Sequence, residues 1–84
     1  MAGSITPAAT GGFAVTPHDS TNFTQKARAL YIGGAGTGTL SVLVNKDSNV
    51  TVAFAGVSVG TIIPIECWRV NSTGTGVTNI VALY

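Results

Sequence analysis

His18-Asp19-Ser20 places the three residue types of a hydrolytic triad side by side. A working triad draws serine, imidazole and carboxylate from separate segments, so that each hydrogen-bonds the next in line. Three adjacent residues cannot fold onto one another that way, and His18 is the only histidine. The expectation is a turn in which Asp19 or Ser20 bonds local backbone N–H groups. Cys67 is the single cysteine; it lies in an apolar run with only Arg69 nearby as an activating charge, which predicts a small buried hydrophobe rather than a nucleophile. One cysteine excludes an internal disulfide, and one cysteine with one histidine cannot furnish a four-ligand zinc site. Glu66 is the sole glutamate and Asp47 falls in a turn-like stretch, so no carboxylate pair for glycoside hydrolysis can be named. The residues therefore assign no catalytic, cofactor-binding or metal site.

Gly33 and Gly38 have the spacing of the two glycines of a phosphate-binding loop, but Thr39 stands where the lysine belongs and a strand pattern follows instead of a helix. A flexible or φ-positive connection is the expected role of this stretch. Asn22, Asn49 and Asn71 each open a glycosylation sequon. Nothing before Lys26 could act as the basic region of a Sec-type signal, so these matches are read as chance in a threonine-rich chain.

The elements that would hold these residues follow from composition. The 84 residues make one small domain with a modest core. Charged residues are 8% of the chain against about 25% in an ordinary soluble domain, and the net charge is +1. So weakly solvated a surface favours association with other copies or another protein. It also speaks against nucleic acid, because Lys26, Arg28, Lys46 and Arg69 are scattered rather than clustered. The uncharged run from Ser48 to Ile65 is too rich in Ser, Thr, Asn, Gly and Pro for a membrane-spanning helix.

Val, Ile and Thr fill 28 positions and 11 glycines interrupt every run, which predicts an all-β chain. Met1 to Gly12 is small, polar and Gly/Pro-bearing, and is expected to be a flexible N-terminal arm ahead of a single β-domain from Phe13 to Tyr84. Lys26 to Ile32 alternates with Arg28, Leu30 and Ile32 on one face. Thr39 to Asn45 and Val50 to Phe54, separated by Lys46-Asp47-Ser48-Asn49, form the clearest hairpin. Val57 and Val59 make a short crossing, Thr61 to Val70 a longer strand bent or set at an edge by Pro64, and Thr78 to Leu83 a last strand. Five to six short, mostly antiparallel strands fit a small sandwich or barrel. An arginine at position 28 sharing a face with Leu30 and Ile32 calls for a partner, with Asp19 or Glu66 the candidates. Tyr31, Trp68, Leu83 and Tyr84 are the interface candidates, being aromatic residues with a polar handle or the end of an uncharged strand.

Two stretches resemble a known family. Phe13-Ala14-Val15-Thr16-Pro17-His18-Asp19-Ser20-Thr21 and the run ARALYIGGAG from Ala27 are similar to the opening of small structural proteins of tailed phages and gene transfer agents, the head-spike base and capsid-decorating proteins. Val57 to Ile65, Trp68-Arg69-Val70, Thr73-Gly74-Thr75-Gly76 and the closing Asn79-Ile80-Val81-Ala82-Leu83-Tyr84 look like its second half. The resemblance implies a non-enzymatic virion protein without cofactors that self-assembles as a trimer or pentamer. Its implied partners are the major capsid protein and a head fibre protein, on the outer capsid surface after assembly in the host cytoplasm. The alternative is a carbohydrate-binding module for host attachment, stacking sugars on Tyr31, Trp68 and Tyr84.

Overall fold

A computed structural model of the chain describes residues 9–84. Seven strands follow in order: β1 (Gly12–Ala14), β2 (Ala29–Gly34), β3 (Leu40–Asn45), β4 (Val50–Phe54), β5 (Ile62–Ile63), β6 (Arg69–Val70) and β7 (Thr78–Leu83). All pairings are antiparallel. They build a four-stranded sheet, β1-β7-β2-β5, and a three-stranded sheet, β4-β3-β6. Two separate sheets decide for a sandwich over a barrel.

The core is the meeting of their inner faces. Alternation turns Leu30 and Ile32 of β2 and Ile80 and Ala82 of β7 inward, against Leu40 and Val42 of β3 and Val70 of β6. All seven are at most 2% exposed. The hairpin forms as its sequence predicts, with Leu40 opposite Phe54 and Val42 opposite Val52. Its loop is closed by Asn45 Oδ1, which accepts N–H bonds from Asp47 (2.9 Å) and Ser48 (3.2 Å), and by Asn49 in the left-handed region at φ 58°.

Thr61 to Val70 is two strands rather than one. Pro64, with no N–H to give, follows β5 in the first sheet, and the chain crosses to β6 in the second. Between them Cys67 and Ala27 exchange backbone hydrogen bonds of 3.0 Å as an isolated bridge. That split, together with β1, raises the strand count to seven. Phe13 to Phe23 straps the sheets together: Val15 N–H donates to Ile80 O (2.9 Å) on β7, while His18 and Phe23 N–H donate to Val70 O (2.9 Å) and Trp68 O (2.6 Å) along β6.

The glycine stretch after β2 serves as a connection. Gly36 and Gly38 have φ of 49° and 75°, and the loop lies against the second glycine turn, Thr37 N–H reaching Gly76 O and Gly76 N–H reaching Thr39 O. A Cβ on Gly36 would run into the Gly76 carbonyl. Most of the expected arm, Met1 to Gly12, lies outside the described residues. Its last four residues do not: Thr10 and Gly11 donate to Tyr84 O (2.6 and 3.1 Å), and Tyr84 N–H donates to Gly11 O (3.0 Å), leading directly into β1.

Candidate assembly surface

The outward face of the four-stranded sheet is a surface that the core does not use. Because Leu30, Ile32, Ile80 and Ala82 point inward, their neighbours in the strands must point out. Register then lines up Ala14, Val81, Tyr31 and Ile62 across all four strands. A second row sets Gly12, Leu83 and Ala29 side by side. Tyr31 is 38% exposed and Ile62 57%. No residue of β1, β2, β5 or β7 carries a charge. The surface is therefore largely apolar, with Asn79 at one end, and free of charged side chains.

Two of the four interface candidates, Tyr31 and Leu83, share this face. Tyr84 lies at its end, where its ring packs beside Phe13 at 6.1 Å between centroids and covers Gly11. Its backbone is bonded by Thr10 and Gly11 of the same chain, so the last strand is held from within. Trp68 is on the other sheet, half-buried, with Lys46 Nζ 4.1 Å above its ring. It does not share an exposed face with Val70, which is buried: Cys67 and Val70, three apart, both point inward, so alternation slips between them.

A similar slip corrects the expected ion pair of Arg28. Ala27 and Leu30 are both fully buried, which leaves Arg28 exposed on the far side of the break. Glu66 pairs instead with Lys26 at 2.8 Å, and that pair holds the Glu66 carboxyl below its ordinary value. Asp19 accepts bonds from the Thr73 N–H and hydroxyl, both 2.8 Å, which likewise lower its pKa. The arginine that ties the strap to the sheet is Arg69, whose Nη1 donates to Asn22 Oδ1 (3.2 Å) and whose Nε donates to Asn71 Oδ1 (2.8 Å). Sequence reasoning missed it because both asparagines lie in turn-like stretches that carry no periodic signal.

The residues that could do chemistry are engaged elsewhere. Ser20 Oγ does approach His18 Nδ1 (3.2 Å), but that nitrogen also accepts the N–H groups of Ser20 (3.1 Å) and Thr21 (3.2 Å). It closes a turn, and Asp19, the would-be orienting group, faces Thr73 instead. Cys67 is fully buried, and burial pushes its thiol from 9.0 to about 11, away from the thiolate a nucleophile needs. Among the described residues no cluster of His, Cys, Asp or Glu could hold a metal ion.

No protein-family model matches this chain, and no curated protein does. A chain of one solved structure, the capsid of a native GTA (gene transfer agent) particle computed with C5 symmetry, is similar to it: 34% identical, covering 90% of this chain and 83% of that one, with a TM-score of 0.74.

Proposed function

This chain belongs to the family of that gene transfer agent capsid chain, and from that premise we propose that it is a virion structural protein that decorates or cements a capsid, or forms the base of a head spike, through self-assembly. The observation that carries the reading is identity of 34% over 90% of the chain, a likeness that runs through nearly its whole length. The uncharged outer face through Ala14, Val81, Tyr31 and Ile62 supports it as the surface set against the shell or a neighbouring subunit. Docking there removes exposed Tyr31 and Ile62 from water at about 25 cal/mol per Å² without desolvating any charge. The partners in this reading are further copies of the chain in a trimer or pentamer, the major capsid protein and a head fibre protein. The place is the outer surface of the particle. A carbohydrate-binding module would need its aromatic rings on one platform, whereas Tyr31, Trp68 and Tyr84 are distributed over two sheets and a strand end.

The test pairs Tyr31→Lys with Ile62→Lys. Both side chains are exposed, so melting should move by less than about 0.5 kcal/mol each. Burying two unpaired ammonium groups in a contact should weaken co-sedimentation with capsids by more than about tenfold, the equivalent of 1.4 kcal/mol. Wild-type protein that never co-sediments with particles would sink the functional reading; a double variant that co-sediments as well as wild type would remove this face from it.

A further inference from the structure

The chain has seven charged side chains, and five of them are engaged within it. Lys26 meets Glu66, Asp19 meets Thr73, Arg69 meets Asn22 and Asn71, and Lys46 lies over the Trp68 ring. Two of opposite sign are left over. Among the described residues the Arg28 guanidinium and the Asp47 carboxylate take part in no hydrogen bond or ion pair. Arg28 borders a cleft of about 830 Å³ at the end of the four-stranded sheet, where the chain enters β2 and leaves β5 and β7. Lys26, Glu66 and Tyr84 share the lining. Two cations against one carboxylate leave the cleft one positive charge in excess, and because Glu66 is held by Lys26 that excess sits on Arg28. Asp47 stands in the middle of the β3–β4 hairpin tip, residues 45–49, all of them exposed. Lys46 beside it is drawn back over its own Trp68, so the tip presents the acid foremost.

We propose that the hairpin tip of one copy of this chain enters the Arg28 cleft of a second copy, with Asp47 completing the charge of the cleft. The tip is convex and the cleft concave, and each carries the charge that the other lacks. Asp19 and Glu66, the other two acids of the chain, are already committed, so Asp47 is the one the chain has to give. Pairing of exposed charges adds little affinity but fixes which surfaces meet and in what register. The hairpin belongs to the three-stranded sheet and the cleft to the four-stranded one, so each copy offers two different surfaces and association can pass from copy to copy. This inference rests on the self-assembly in the reading above and names one of its contacts.

The experiment is a charge swap, read by sedimentation of the purified protein over a range of concentrations. Wild type should sediment as a multimer of 8.5 kDa chains. Arg28→Glu and Asp47→Arg, each setting like charges face to face, should weaken association by more than about tenfold. The double variant, with both charges exchanged, should recover it to within about threefold of wild type, and so should an equimolar mixture of the two single variants. Both positions are exposed, and circular dichroism checks that each variant is folded. A wild-type multimer that neither single variant weakens, or a double variant no better than the singles, would overturn this contact and leave self-assembly standing. A wild type that stays monomeric would overturn the contact and self-assembly together, whereas attachment to capsids is judged separately by co-sedimentation.

Discussion

Asp19 shows how one exposed carboxylate can matter to a chain with seven charged side chains. It takes both the N–H and the hydroxyl of Thr73, fastening the strap to the turn after β6 across 54 positions of sequence. These bonds favour the ionised form, so the folded-state pKa lies below the ordinary 3.8. A lowered acid contributes stability that is complete above 3.8 and is lost as pH falls through the depressed value. Asp19→Ala should therefore lower the melting temperature at neutral pH, and the gap between variant and wild type should close at the acid end of a pH series. A gap that stays constant down to the lowest pH would mean that the carboxylate does not act through its charge.

At the scale of elements, β6 has only two residues and is kept in place by side chains as much as by its ladder. Asn71, 8% exposed, donates its N–H to Ser41 O (2.8 Å) and its Nδ2 to Ser41 Oγ (3.0 Å), and accepts from Arg69 Nε. Truncation leaves the Arg69 Nε and the Ser41 hydroxyl without these partners. Asn71→Ala should cost about 1–3 kcal/mol, read as a shift in the urea midpoint. Lys26→Ala, which breaks only an exposed ion pair, should leave that midpoint nearly unchanged. Equal shifts would mean that the Asn71 network carries no more weight than a surface contact.

Over the whole molecule, Tyr84 joins the two ends of the described chain. Its carbonyl accepts from Thr10 and Gly11, its N–H donates to Gly11, and its ring lies beside Phe13 at the start of the strap. The strap in turn spans both sheets, so loosening this end propagates to the side of the sandwich where β1 and β6 lie. Tyr84→Ala should destabilise the fold by roughly 1–3 kcal/mol through lost ring packing. Amide exchange should quicken in β1 and the strap more than in the β3–β4 hairpin. Uniform exchange across both sheets would show that the ends are not coupled to that side of the core.

The β class, the hairpin from Leu40 to Phe54, the buried character of Cys67 and the lack of charge along the strands that form the outer face are all legible in the order of the residues. Those features are local: alternation, turn residues and composition act within a few residues of one another. The packed fold is what divides Thr61 to Val70 between two sheets, brings Lys26 rather than Arg28 to Glu66, and lets Arg69 fasten the strap. In each case alternation slips by one residue, at Ala27–Leu30 and at Cys67–Val70, where the chain passes from one sheet to the other. Such a slip redirects the side chains that follow it, and its position is set by which strands meet across the core, a long-range pairing that no stretch of sequence encodes alone.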